Sequence, residues 1–389
     1  MRFGLHPALV LALTTTLYAA ASNATPITEG SGIIRTKQWH LEFLRIDKAH
    51  KLSQGEGIVV AVPDTGVDTH PDLRQNLLSG TDTISGGMGD GRKDRDSHGT
   101  SMAGLIAAHG IGSSRGALGV APKARILPIF SSPPNADGTP DALAQGIEYA
   151  VSQGVDVISV SSGGGSSPRL NQAISTALAS NIVVVAGAGN RPRESHVAYP
   201  ARETQVLAVG GVDRVGNHAA VSVTGPEIDV VAPAVDIYST SYDGKYSKGT
   251  GTSSATAIVA GAVALIRAKY PSLPASEVVH RLTATAVDKG PPGRDDQYGH
   301  GVIDLVAALT ADVPPLGSVP STAQPTAGAG PTPTAVGPGG SEAAGPDGDG
   351  GSTARGLATL GVLVAAGGVW MYMNRRRRRG DDPPPRISR

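Results

Sequence analysis

The amino-acid sequence predicts an α/β domain built on a doubly wound, mostly parallel sheet with helices on both faces. Several short runs of Val, Ile and Leu lack the alternation of a half-exposed strand, which is typical of parallel strands covered on both faces. Helical patterns separate these runs, and such alternation favours a parallel sheet. The predicted strands are 58–62, 124–130, 155–160, 182–186 and 206–209, and the predicted helices are 101–108, 140–152 and 170–179.

The 389-residue chain divides by composition into one globular domain and two terminal regions. Residues 35–310 carry all the strand and helix patterns without an internal linker, and this length can bury a substantial core. Residues 1–24 have a basic residue near their start, Arg2, followed by an apolar run and by small residues at the end, which predicts a secretory signal peptide. An uncleaved N-terminal anchor is the alternative. Residues 25–34 form a short extension between the two.

The C-terminal region predicts a tether to a membrane. Residues 311–355 are rich in Pro, Gly and Ala and poor in large apolar residues, which predicts a flexible stalk. Residues 356–373 are uncharged and just long enough to cross the hydrocarbon core, so they predict a transmembrane helix. The tail, 374–389, is rich in arginine, and basic residues next to a span favour the cytoplasmic side. We therefore expect the tail in the cytoplasm and the domain outside the membrane. The alternatives are a buried core helix and a cleaved anchoring signal.

Composition excludes several functional classes. The chain has 33 basic and 33 acidic residues, and residues 375–389 hold seven of the former and two of the latter. The remainder therefore carries 26 basic and 31 acidic residues, and we expect no nucleic-acid partner. Because cysteine is absent, thiol catalysis and Cys-ligated zinc are excluded. No His-rich metal motif occurs, and we expect neither metal nor cofactor.

An acid, a base and a hydroxyl follow one another where strands or turns meet helices. Asp64 ends the first predicted strand, where a buried carboxylate is costly unless it is paired. His98 opens the run that leads into the predicted helix 101–108, and Ser253 begins an apolar helix whose free N–H groups could stabilise an oxyanion. Together they suit a serine hydrolase, because a Ser hydroxyl needs an imidazole base held by a carboxylate. Singly, each could be a capping or packed residue.

Asn190 is the candidate for a second oxyanion donor. It follows the fourth predicted strand, and the carboxyl ends of parallel strands meet at one edge, so Asn190 and Asp64 are expected to share it. An Asn after a Gly is also common in turns. Ser254 is a rival nucleophile, but one residue along the helix it would point about 100° away from Ser253.

These segments resemble the motifs of the subtilase family of serine endopeptidases. The Asp motif is 60–68, the His motif 98–104, the Asn segment 188–190 and the Ser motif 251–261. The resemblance covers about residues 35–310 and implies a subtilisin-like fold and endopeptidase activity on polypeptide substrates.

By the same resemblance, Asp64, His98 and Ser253 are the catalytic triad and Asn190 is the oxyanion donor. It also implies substrate-binding residues. The substrate would lie as an added strand beside Ser161, Ser162 and Gly163, with Gly187 in the pocket wall.

The order of the segments resembles the mycosins, membrane-anchored subtilases associated with type VII secretion. This layout implies a single-pass membrane protein that acts outside the membrane on secreted substrates and partners the secretion machinery. Two alternatives stay open: a scaffold that stabilises a secretion complex, and a general surface protease.

Two positions bear on activity and metal binding. Pro63 stands beside Asp64 where the family has an apolar residue, and its missing N–H leads us to expect a distorted strand end. Asp72 is the one candidate ligand near the family's familiar calcium site, and alone it cannot hold the ion.

Overall fold

The computed structural model describes residues 25–27, 30–84, 88–136, 138–162 and 165–317. The expected signal peptide, the transmembrane run, the basic tail and most of the stalk lie outside the described residues. None of the described helices has both the length and the hydropathy needed to cross a bilayer.

Strands and helices alternate from residue 125 to residue 187, and elsewhere along the described chain several of one kind follow one another. The strands are β1 Thr25–Ile27, β2 Val59–Asp64, β3 Thr81–Asp82, β4 His109–Ile111, β5 Arg115–Leu118, β6 Arg125–Phe130, β7 Val157–Val160, β8 Val183–Gly187, β9 Leu207–Val212, β10 Val230–Pro233, β11 Ile237–Thr240 and β12 Tyr246–Gly249. The helices are α1 Ser31–Lys37, α2 Trp39–Phe43, α3 Ile46–Ala49, α4 His98–Ala107, α5 Pro140–Ser152, α6 Pro168–Ala179, α7 Thr252–Lys269, α8 Ala275–Ala284 and α9 Leu305–Thr310.

The main sheet is parallel, as predicted. Its strand order is β10-β9-β8-β7-β2-β6-β3, and every pairing in it is parallel. All five predicted runs are strands of this sheet, and their ends differ by at most three residues. The three predicted helices are α4, α5 and α6, and α4 begins earlier than expected, at His98. The carboxyl ends of these strands therefore share one edge.

Helices cover both faces of the main sheet, which explains the unbroken apolar runs. Val60 and Val62 pack in the core on the side of α4 and α7, whereas Ala61 packs with α5 and α6 on the other side. Because successive side chains of a strand point to opposite faces, a strand covered on both must be apolar throughout. Helix α7 is buried from Thr252 to Arg267 and lies against β7 to β10.

Strand β1, which lies in the expected extension 25–34, belongs to a second, smaller sheet. Strand β1 lies antiparallel to β12, and β12 pairs with β11, so the order is β1-β12-β11. Helix α1 begins at Ser31, inside the extension, and lies against β5. The sequence patterns had indicated neither this sheet nor α1.

The end of β2 stays in register with β6 through Pro63, although we expected this strand end to be distorted. Carbonyls of Ile58 and Asp64 accept hydrogen bonds from the β6 side, whereas that of Val59 accepts one from the β7 side. By the alternation of a strand, Pro63 also faces β7. Pairing with β7 already ends at Ala61, and pairing with β6 continues to Asp64. Because Pro63 has no N–H to donate towards β7, the ladder with β7 does not extend past Ala61, whereas the ladder with β6 does not need this N–H.

His40 makes the stability of this fold sensitive to acid. His40 belongs to α2 and its side chain is fully buried, and neither ring nitrogen has a hydrogen-bond partner among the described residues. Burial lowers the pKa of His40 to about 3. Between that value and its ordinary 6.5 the unfolded chain binds a proton that the folded chain excludes, so stability falls as the pH falls.

We expect the free energy of unfolding to decrease from pH 6.5 towards 3, with His40 contributing up to about 1.4 kcal/mol per pH unit. The measurement is urea unfolding of the protein at several pH values. His40→Leu should flatten the dependence, and His196→Gln, at an exposed position, should not. An unchanged slope in His40→Leu would contradict this assignment.

Candidate active site

Asp64 and His98 form a direct hydrogen-bonded pair at the carboxyl edge of the main sheet. Asp64 is the last residue of β2 and only 1% exposed, and His98 is the first residue of α4. His98 Nδ1 lies 2.8 Å from Asp64 Oδ1 and 3.0 Å from Oδ2. Because a carboxylate can only accept, Nδ1 carries the proton. This pairing leaves Nε2, which has no hydrogen-bond partner among the described residues, as the atom that can accept one.

The surroundings of His98 favour its protonated form. Burial by itself lowers the pKa of His98, but the negative charges of Asp64, Asp96 and Asp94 outweigh burial and raise it to about 9. An imidazolium formed at this position is therefore stabilised by the carboxylate that holds the ring. That is the property needed in a base that accepts a proton during a reaction.

Gly99 lets the two residues come together. A Cβ at Gly99 would overlap the Gly66 carbonyl oxygen and would lie 3.2 Å from the Asp64 Cβ. The start of α4 thus packs directly against the chain that follows β2, and only glycine fits there. The close contact between the start of α4 and the chain after β2 explains why glycine follows His98 in this motif.

Ser253 lies in the first turn of α7 and is 5% exposed. Its Oγ donates a hydrogen bond of 3.0 Å to the Ser161 carbonyl, and Ser161 Oγ donates one of 3.3 Å to the Ser253 carbonyl. The Ser253 hydroxyl is therefore not hydrogen-bonded to His98 in this conformation. The structure pairs the acid with the base and ties the serine to the segment that follows β7.

Asn190 lies against the same turn of α7. Its Oδ1 accepts hydrogen bonds from the Thr252 N–H at 2.9 Å and from Thr252 Oγ1 at 3.3 Å. This fixes the orientation of the amide and leaves Nδ2 as the available donor. The Ser253 N–H has no acceptor among the described residues, as expected in a first helical turn. These two donors can bind a negatively charged oxygen.

The proposed substrate-binding residues follow β7 and end β8. Ser161 and Ser162 are half-buried just after β7, and Gly163 lies outside the described residues. Gly187 ends β8, and a Cβ there would lie 3.0 Å from Thr256 Oγ1 in α7. Ser161, Ser162 and Gly187 therefore lie at the carboxyl edge that also carries Asp64.

Asp72 has protein partners. Its Oδ2 accepts hydrogen bonds from the Ala117 N–H at 2.6 Å and from the Tyr246 hydroxyl at 3.1 Å. Among the residues that the structure describes, no group of three or more His, Asp or Glu side chains is placed to hold a metal ion.

Sequence reasoning missed two buried or half-buried carboxylates beside these residues. Asp94, which is 5% exposed, accepts hydrogen bonds on both sides of the Asp64–His98 pair. Glu194 accepts the Asn190 N–H at 2.8 Å and so holds the backbone at Asn190. The one signal in the sequence was the position of Asp94, four residues before His98.

Comparison with known proteins shows the family of the chain. Residues 55–301 match the subtilase family. The chain is 39% identical over 280 residues to subtilisin DY of Bacillus licheniformis, covering 70% of this chain and 99% of that protein. It is also 37% identical over 272 residues to subtilisin Savinase of Lederbergia lenta, covering 69% and 97% of the two chains.

Solved structures of mycosins are similar as well. One is MycP1 described as a serine protease and an essential component of the type VII (ESX-1) secretion system, with a TM-score of 0.66 and 32% identity over 75% of this chain and 92% of that one. Another is MycP1 from Mycobacterium smegmatis, with a TM-score of 0.66 and 28% identity over 76% and 90%. The fold is thus subtilisin-like, the chain belongs to the subtilase family, and it is a serine endopeptidase.

Proposed function

We propose that the chain is a membrane-anchored endopeptidase that cleaves polypeptides outside the membrane with Asp64, His98 and Ser253 as its triad. The observation that carries this proposal is the Asp64–His98 hydrogen bond, which leaves His98 Nε2 free to accept a proton. Ser253 lies in the first turn of α7 and the Asn190 amide lies against that turn, where an oxyanion would be stabilised.

The proposed reaction begins when the Ser253 hydroxyl turns from the Ser161 carbonyl to His98 Nε2. Ser253 Oγ attacks the peptide carbonyl carbon while its proton passes to Nε2, and Asp64 stabilises the imidazolium. The resulting oxyanion receives hydrogen bonds from Asn190 Nδ2 and the Ser253 N–H. His98 then protonates the leaving amine, and the C–N bond breaks to give an ester of Ser253. Water, deprotonated by His98, hydrolyses this ester and restores the serine.

Substrate binding would itself release the nucleophile. A peptide added as a strand beside Ser161 and Ser162 needs carbonyl acceptors for its N–H groups. The Ser161 carbonyl, which now accepts the Ser253 hydroxyl, is such an acceptor. Competition for this carbonyl would leave the hydroxyl free to bond to His98.

The location and substrate follow from the terminal segments together with the similarity to mycosins. A signal peptide at 1–24, a stalk at 311–355, a span at 356–373 and a basic tail at 374–389 would tether the domain, 35–310, on the outer face. The solved MycP1 and MycP3 proteases belong to type VII secretion systems. We therefore propose polypeptides exported by such a system as substrates and its machinery as the partner.

Ser253→Ala should remove labelling by a fluorophosphonate and lower kcat on unfolded proteins by about 10⁶-fold, the size of effect found for triad serines. Ser254→Ala is the matched control, since it changes the neighbouring serine of the same turn and should keep both activities. Undiminished labelling or cleavage by Ser253→Ala would reject the assignment of the nucleophile.

The same variant separates the protease from a scaffold, an alternative favoured by the unformed Ser253–His98 hydrogen bond. A deletion strain would be complemented with Ser253→Ala at equal abundance, and export of the system's substrates would be measured. Loss of processing or export supports the protease, and full rescue of both supports the scaffold. A stalk-cleaved form that works as well as the anchored one would instead favour a general surface protease.

The pH dependence of kcat/KM should report the raised pKa of His98. Activity requires the neutral imidazole, so kcat/KM should rise with pH through a midpoint above 6.5, towards 9. Asp64→Asn should lower this midpoint and reduce kcat by about 10⁴-fold, because the ring loses its charge partner and its tautomer. A midpoint at or below 6.5 in the unmodified chain, or one unmoved by Asp64→Asn, would contradict the proposed pair.

A further inference from the structure

Asp94 is a buried carboxylate that accepts hydrogen bonds from Thr65, the residue after Asp64, and from Ser97, the residue before His98. It contacts neither the Asp64 carboxylate nor the His98 imidazole. It is 5% exposed and precedes α4 by four residues. Its two oxygens accept five hydrogen bonds from backbone N–H groups and hydroxyls. A buried carboxylate is costly, and these donors offset part of that cost, although burial still raises the pKa of Asp94.

On the side of the base, Asp94 holds the turn from which His98 projects. Asp94 Oδ1 accepts the N–H groups of Asp96 and Ser97 at 2.8 and 3.0 Å, and Oδ2 accepts the N–H and hydroxyl of Thr100 at 2.9 and 2.6 Å. Ser97 has a φ of 93°, in the region that favours glycine. Asp94 therefore stabilises a strained residue directly before the imidazole.

On the side of the acid, Asp94 acts through Thr65. Thr65 Oγ1 donates to Asp94 Oδ1 at 3.0 Å and accepts the Gly99 N–H at 2.9 Å. The Thr65 N–H donates to Asp64 Oδ1 at 2.7 Å. One threonine thus connects the acid, the start of the base's helix and Asp94.

We propose that Asp94 is a positioning residue that sets the distance and angle between Asp64 and His98. It acts by fixing the turn at Ser97 and the hydroxyl of Thr65 together. This inference rests on the proposed roles of Asp64 and His98 and extends them to a carboxylate that does not touch the substrate.

The test is Asp94→Asn, which keeps the shape but places an NH₂ group against donors. We expect kcat per active site to fall by about 10²-fold with KM within about twofold, because small displacements of catalytic groups cost this much. The acid limb of kcat/KM should also move to lower pH, since a negative charge near His98 is lost. Active sites are counted by fluorophosphonate titration, so unfolded protein does not enter kcat.

Asp229→Asn is the matched control. Burial raises the pKa of both Asp94 and Asp229, and Asp229 also accepts a backbone N–H, that of Ala208, at 2.9 Å. Asp229 precedes β10, at the amino edge of the sheet and away from the candidate site. Asp229→Asn should lower the free energy of unfolding and leave kcat per titrated site and the acid limb of kcat/KM unchanged.

Thr65 supplies an independent pair of variants should Asp94→Asn fold poorly. Thr65→Val removes the hydroxyl and should lower kcat with little change in KM, whereas Thr65→Ser keeps the hydroxyl and should retain activity. Unchanged kcat per site and pH limb in both Asp94→Asn and Thr65→Val would overturn the positioning role. That result leaves the triad intact, whereas full labelling of Ser253→Ala would reject the triad itself.

Discussion

The hydrogen bond between His98 Nδ1 and the Asp64 carboxylate is the interaction on which the rest of the site depends. Asp64 is buried at the end of a central strand, where an unpaired carboxylate would be strongly unfavourable. His98 compensates for that burial and in return is held in one tautomer with Nε2 free. The same contact that makes the carboxylate tolerable in the core therefore leaves Nε2 of the imidazole without a partner among the described residues.

The second sheet explains how α4 is held in place to present His98. Hydroxyls of Ser239 and Thr240 in β11 donate to the carbonyls of Ser101 and Thr100 in α4, each at 2.7 Å. A Cβ at Gly104 would overlap the Thr240 hydroxyl, so α4 and β11 approach closely. Strand β11 pairs with β12, and β12 pairs with β1. The backbone of the N-terminal extension thus continues a sheet that supports the base.

The parallel sheet and the acid–base pair could be predicted from the sequence, and the reasons are physical. Strands such as 58–62 are apolar throughout because both faces are covered, so they stand out from loops. Their ends were less certain: β9 continues through Gly210 and Gly211, where packing outweighs the weak strand propensity of glycine. Strands β11 and β12 were missed because their Ser and Thr residues are polar yet buried against α4.

Side-chain contacts over long separations were beyond sequence reasoning. Asp94 precedes His98 closely, but its hydrogen bond to Thr65 joins residues 29 positions apart. The hydroxyl of Ser253 bonds to Ser161, 92 positions away, and no local pattern distinguishes that orientation from one towards His98. Pro63 shows the opposite error, since its missing N–H faces β7 while pairing with β6 keeps β2 in register to Asp64.

NMR titration of the His98 imidazole, in protein with ¹⁵N-labelled histidine, tests the central claim most directly because it needs neither substrate nor nucleophile. A pKa for His98 above 6.5, with the Nδ1 proton retained and Nε2 titrating, is the predicted result, and Asp64→Asn should abolish the elevation. A ring that titrates at 6.5 or below, or one whose titration ignores Asp64→Asn, would contradict the account.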